Sequence, residues 1–82
     1  MIINIKNKND FITLDFNIKQ IRYLKDFEKM GKIEFLNLSN DDIIGYNYLW
    51  DNDKILFLKT LKEDIKSFLN IDINLNKLEV LK

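Results

Sequence analysis

SNDDIIGYNYLWDNDKILFLKT, residues 39–60, carries the signals of a helix and of a pair of strands at once. Ser39 with Asp42 three positions on has the form of a capping box, which would start a helix over 40–49. Against this, β-branched Ile43 and Ile44, Gly45, and the alternation of Tyr46, Tyr48 and Trp50 favour a strand. Asp51-Asn52-Asp53 has the composition of a turn. Residues 54–59 resume alternation, with Ile55 and Phe57 on one side and Leu56 and Leu58 on the other. We read the stretch as strand, turn and strand.

Toward the C-terminus, Thr60 and Glu63 have the spacing of a second capping box. Leu61, Ile65, Phe68 and Leu69 follow as an apolar stripe, with Lys62, Asp64 and Lys66 on the other faces. A helix over 61–70 is expected. Ile71, Ile73 and Leu75, then Leu78 and Val80, suggest a closing strand or a bent pair of short ones.

Toward the N-terminus, Ile33 to Leu38 alternates as a strand. Before it, Ile18, Ile21, Leu24, Phe27 and Met30 recur every third residue. With Asn17 as cap and Gly31 as C-terminal turn, they predict a helix over 18–30. Ile3 to Lys6 and Phe11 to Phe16 flank the polar Asn7-Lys8-Asn9-Asp10 and predict an opening hairpin. The expected order is ββα-ββ(β)α-β. It describes one α+β domain over residues 1–82, a mixed or antiparallel sheet with two helices packed on it.

A repeat also runs through these residues. Phe11, Ile33, Ile55 and Leu75 align as starts, with Leu14, Leu36, Leu58 and Leu78 at the fourth position and Ile21, Ile43 and Ile65 at the eleventh. Over residues 11–80 this resembles a leucine-rich repeat of about 22 residues, which would imply a small parallel solenoid. The sequence departs from that pattern where the family stacks asparagines, holding Lys19, Asp41 and Glu63 there, and Thr60 breaks the sixth position. Three uncapped units also make a poor solenoid, so the α+β reading is preferred.

Bulk composition narrows the chemistry. An 82-residue chain of 46% apolar residues can form one core, burying roughly 60–65% of its unfolded surface. It has no cysteine for a disulfide and no cysteine or histidine for zinc, so the core must hold itself or a second subunit must help. The opening residues lack a signal-peptide core and no run reaches the length of a membrane span, so a cytoplasmic location is expected. Twelve Lys to a single Arg22, abundant Ile and Asn, and no Ala or Pro reflect A- and T-rich codons, as in an AT-rich bacterium or a phage or mobile element within one.

Catalysis is disfavoured, because the usual general base and thiol nucleophile are missing. Gly31 and Gly45 stand alone, so no glycine-rich phosphate loop exists. Asp51-x-Asp53 opens like a calcium loop, but Leu56 and Lys62 occupy the positions that need glycine and glutamate. No cofactor or metal is expected.

The remaining asymmetry is charge. Residues 33–53 hold Glu34, Asp41, Asp42, Asp51 and Asp53 with no Lys or Arg, a local −5 against +5 elsewhere. The same segment carries Tyr46, Tyr48 and Trp50, residue types that anchor protein interfaces. Acid around aromatic anchors suits docking on a basic, nucleic-acid-binding protein, as inhibitors of such proteins do. The candidate partner-binding residues are therefore Asp41, Asp42, Tyr46, Tyr48, Trp50, Asp51 and Asp53. Two alternatives stand beside this one. The first is a structural protein self-assembling through an exposed strand edge. The second is direct nucleic-acid binding through Lys19, Lys25, Lys29 and Lys32 or Lys59, Lys62 and Lys66, disfavoured by the interleaved acids and a pI of 6.2.

Overall fold

In the computed structural model, which describes residues 1–26, 32–74 and 78–81, the chain is an α+β domain with an antiparallel sheet and two helices. The elements run β1 (Ile2–Asn7), β2 (Asp10–Asp15), β3 (Gln20–Leu24), β4 (Ile33–Asn37), α1 (Asn40–Asn52), α2 (Lys54–Leu69) and β5 (Leu78–Leu81). The strands lie in the order β4-β3-β2-β1-β5, every neighbouring pair antiparallel. The fold class is therefore the expected one, but the order of elements is ββββααβ. The antiparallel pairing also rules out the solenoid. Phe11 and Ile33, which would start neighbouring repeats, lie in β2 and β4 with the antiparallel strand β3 between them, and Ile55 lies in a helix.

The opening hairpin forms as expected, with Asn7 opposite Asp10 across the turn at Lys8-Asn9. Alternation does its ordinary work here. Ile3, Ile5, Ile12 and Leu14 point into the core while their neighbours point away.

The helix expected over 18–30 is replaced, in its described part, by a turn and strand β3; residues 27–31, including Gly31, lie outside the described residues. The buried Asp15 carboxylate accepts the backbone N–H groups of Asn17 (3.0 Å) and Ile18 (3.3 Å), and Lys19 takes a left-handed φ of 55°. An Asp that captures the following amides turns the chain instead of starting a helix. Ile21 and Tyr23 then face the core two residues apart, while Ile18 is exposed and Leu24 sits on the opposite face of the sheet. Three of the apolar positions that imitated helical spacing thus serve different surfaces.

The stretch 39–60 also resolves against the strand reading. Its capping box is real. Ser39 Oγ accepts the Asp42 N–H at 3.1 Å, and Asp42 Oδ2 accepts the Ser39 N–H at 3.0 Å, so residues 40–52 are helix α1. Asp53 alone breaks the helix. Its N–H closes α1 on the Leu49 carbonyl (2.7 Å), and its side chain caps α2 by accepting the Leu56 N–H (3.0 Å). Residues 54–59, expected as a strand, are the first turns of α2, and Thr60 is interior to that helix. What buries α2 is the four-residue spacing Phe57, Leu61 and Ile65, all fully enclosed. The Asn70 backbone is left-handed, a common helix stop. Of the closing segment, residues 71–74 are not strand, Leu75 lies outside the described residues, and Leu78–Leu81 pairs with β1.

These caps give a contrast that tests the helix boundary. Asp53→Ala removes the acceptor at the start of α2 and should cost about 1 kcal/mol. Thr60→Ala, in a helix interior that favours alanine, should leave the thermal midpoint unchanged or slightly raised. Equal losses in the two melting curves would contradict the helix start at Lys54.

Both helices cover one face of the sheet. The core is formed there by Ile3, Ile5, Ile12, Leu14, Ile21 and Tyr23 from the strands and by Leu38, Tyr46, Phe57, Leu61, Ile65 and Ile73 against them. On the other face the register aligns two rows across β4, β3, β2 and β1: Ile33-Leu24-Phe11-Lys6 and Phe35-Arg22-Thr13-Asn4. Polar ties hold part of that face. Thr13 Oγ1 donates to Asn4 Oδ1 at 3.0 Å, and Arg22 lies 3.6 Å from Asp15.

Candidate functional site

Helix α1 sorts the seven proposed binding residues by where the helical turn points them. Tyr46 and Trp50, four apart, point inward. Tyr46 is buried, donates its hydroxyl hydrogen to the Asp64 carboxylate and stands edge-on to Phe57 at 5.5 Å. Burial first, then that hydrogen bond and the negative charge of Asp64, raise the Tyr46 pKa far above its ordinary value. Trp50 is half-buried, packs edge-on against Phe57 at 5.2 Å and carries the Lys54 ammonium 4.7 Å above its ring. Its remaining surface lines a groove of about 580 Å³ with Met1, Ile2, Ile3, Asn4, Lys54 and Val80.

Two of the aspartates are occupied at helix ends, Asp42 in the capping box and Asp53 at the α1–α2 junction. The other two are exposed on the helix surface. Asp41, Ile44, Tyr48 and Asp51 follow one another at three, four and three residues, which sets them along a single stripe opposite Tyr46. Ile44 is 67% exposed and Tyr48 65%. The seven candidates therefore divide into an outward group of Asp41, Tyr48 and Asp51, two capping carboxylates, and two aromatics that pack on Phe57.

Electrostatically, this stripe is unrelieved within its own helix. Asp41 and Asp42 stand in the first turn, where the helix dipole favours negative charge. Asp51 stands near the C-terminal end, where the dipole disfavours it, and the last turn holds no basic residue. Its placement does not serve the helix. Gly45 does not serve the free fold either: it is exposed mid-helix, a Cβ added there would meet nothing within 4 Å, and glycine costs a helix about 1 kcal/mol relative to alanine.

Sequence reasoning missed Ile44 because the strand reading put Tyr46, Tyr48 and Trp50 on one side. The signal was available in the heptad-like spacing 41-44-48-51 once Ser39 and Asp42 are taken as a cap.

The lysines offer a weaker surface. Lys19 and Lys25 lie in turns and Lys32 just before β4, none of them on a helix, and Lys29 is outside the described residues. Lys59, Lys62 and Lys66 border a shallow depression on α2 shared with Glu63 and Asp72, and Lys66 is paired with Asp72 at 3.1 Å. Among the described residues no cluster of three carboxylates is placed to hold a metal ion, and no helix is long and apolar enough to cross a membrane. In comparisons with known proteins the chain matches no family model, no curated protein and no solved structure.

Proposed function

We propose that this chain is a non-catalytic protein-binding module that docks the outward stripe of α1 on a basic, nucleic-acid-binding partner and inhibits it by occupying that surface. The observation that carries the reading is the alignment of Asp41, Ile44, Tyr48 and Asp51 on one exposed helix face, in a 21-residue segment, 33–53, free of Lys and Arg. The carboxylates, roughly 15 Å apart along the axis, steer encounter with positive charge. Ile44 and Tyr48 between them supply the apolar contact that sets lifetime. An interface helix that presents glycine beside such residues lets the partner's backbone come close. An AT-rich mobile element is the source most consistent with the composition.

The partner can be isolated by affinity capture from the native host and its binding followed in real time. Asp41→Asn with Asp51→Asn should slow association and flatten its salt dependence, whereas Tyr48→Ala should speed dissociation and cost on the order of 2 kcal/mol. Neither should lower the melting temperature of the free chain, since both sites are exposed. A captured partner indifferent to all three changes removes α1 from the interface.

Gly45→Ala separates stability from binding. The methyl enters open space on the free helix, so the unbound protein should gain about 0.5–1 kcal/mol. The same methyl should weaken the complex. A variant that is more stable and binds as tightly as the parent contradicts the close approach at Gly45.

A further inference from the structure

Strand β4 is the outermost strand of the sheet beyond β3, and its phase can be fixed from the backbone. The Lys25 N–H donates to the Lys32 carbonyl at 3.0 Å, and the Leu38 N–H donates to the Lys19 carbonyl at 2.8 Å. Both pairs continue the β3–β4 register in which Leu24 faces Ile33 and Gln20 faces Asn37. Because hydrogen-bonded and non-hydrogen-bonded pairs alternate in an antiparallel ladder, Lys32, Glu34, Leu36 and Leu38 turn their backbone groups toward β3. Ile33, Phe35 and Asn37 turn theirs away from the sheet.

An outer strand of this kind is normally blunted by proline, by lysine, by a bulge or by a covering loop. The five residues of β4, Ile-Glu-Phe-Leu-Asn, include neither proline nor lysine, and its pairing with β3 runs without a bulge; its one charge, Glu34, turns toward β3 and is paired with Lys32 at 3.5 Å. Of the side chains at the outward positions, Ile33 and Phe35 are apolar and 51% and 55% exposed, and Asn37 accepts a hydrogen bond from the Gln20 side chain at 3.1 Å.

We infer that β4 pairs with β4 of a second copy of this chain, antiparallel about a two-fold axis at Phe35, joining the two sheets edge to edge. The occupant follows from symmetry. The outward backbone groups sit at three alternate positions centred on Phe35, the middle residue of the strand. A two-fold axis there sets Phe35 against its symmetry mate and Ile33 against Asn37, so every outward N–H of one strand meets an outward carbonyl of the other. Any other central residue leaves one of those groups unmatched. The two Phe35 side chains fall side by side on the same sheet face, a favourable aromatic cross-strand pair. A formal net charge of zero sets no long-range barrier to two copies meeting. The edge is separate from the α1 stripe, so the pairing stands or falls independently of the proposed docking function.

Proline placement supplies the test. The Phe35 N–H points out of the sheet, so Phe35→Pro removes the two central bonds between copies, one from each strand, while leaving the β3–β4 ladder whole. Analytical ultracentrifugation of the full chain from micromolar to millimolar concentration should show a monomer–dimer equilibrium. Phe35→Val, which keeps the N–H, should still dimerise, and Phe35→Pro should weaken dimerisation at least roughly tenfold with an unchanged circular dichroism spectrum. Hydrogen exchange on the parent protein gives a reading that requires no variant: the Ile33, Phe35 and Asn37 amides should be protected at high concentration and exchange freely on dilution. A parent that stays monomeric throughout, one that grows past a dimer, or amides at 33, 35 and 37 whose exchange ignores concentration would each overturn the pairing.

Discussion

Phe57→Ala should bring the protein to the edge of unfolding. Phe57 is fully enclosed, and it is the ring on which both Tyr46 and Trp50 rest edge-on, so it joins α1, α2 and the sheet through one side chain. Truncating a buried phenylalanine removes its transfer energy and leaves a cavity, together about 3–5 kcal/mol. A domain of this length has a total stability of roughly 4–12 kcal/mol, so the loss is a large fraction of the whole. In thermal melts the midpoint should fall by roughly 15–30 °C. Two residues away on the same helix, Ile55 is 78% exposed, and Ile55→Ala should move the midpoint by no more than a few degrees in either direction. Comparable effects from the two substitutions would mean that α2 is rotated from the orientation described here.

That contrast also shows why residues 54–59 could not be read locally. Ile55, Leu56, Phe57 and Leu58 are consecutive apolar residues, and a run of four fits an alternating strand and a helix equally. Only the longer spacing from Phe57 to Leu61 to Ile65 separates the two, and a strand over 54–59 followed by a helix over 61–70 splits that spacing between two elements. Residues 18–24 failed for the opposite reason. Their three-residue spacing was regular, but Asp15, three positions upstream, takes the amides of Asn17 and Ile18. A side chain that commits the backbone to a turn outranks a periodicity that several surfaces can share. The opening hairpin was legible because its two strands and turn are adjacent, and nothing distant decides their pairing.

For the candidate surface, composition located the acidic segment and the geometry divided it. Charge is additive along a chain, so the deficit of lysine over 33–53 needs no structure to be seen. Direction is not additive. Tyr46 and Tyr48 are two residues apart, which in a strand places them together and in a helix sets them about 200° apart. Choosing the capping box over the β-branched pair Ile43-Ile44 would have turned Tyr48 outward and Tyr46 inward from the sequence alone.

In alkali the protein should lose stability steeply, and two buried tyrosines should account for it. Tyr46 donates to the Asp64 carboxylate and Tyr23 to that of Asp10, each in the core. Burial, the hydrogen bond and the nearby negative charge all oppose ionisation, so both folded-state pKa values lie well above the ordinary tyrosine value. A pKa raised on folding means that the folded state keeps a proton the unfolded chain gives up. The stabilisation is therefore complete below about pH 10, where unfolded tyrosine is neutral, and is lost as the pH rises toward the folded values. Across that window each tyrosine should lower the unfolding free energy by roughly 1.4 kcal/mol per pH unit. Two such tyrosines make the loss steeper than one alone would, and in so small a domain it weighs on the whole stability. Urea titrations at successive pH values measure this directly. Tyr46→Phe should cost about 1 kcal/mol at neutral pH, through the lost hydrogen bond, and should be less sensitive to alkali by the share of one tyrosine. If parent and variant lose stability in parallel above pH 10, Tyr46 ionises as readily in the folded chain as in the unfolded one, and its enclosure between Phe57 and Asp64 is not the one described here.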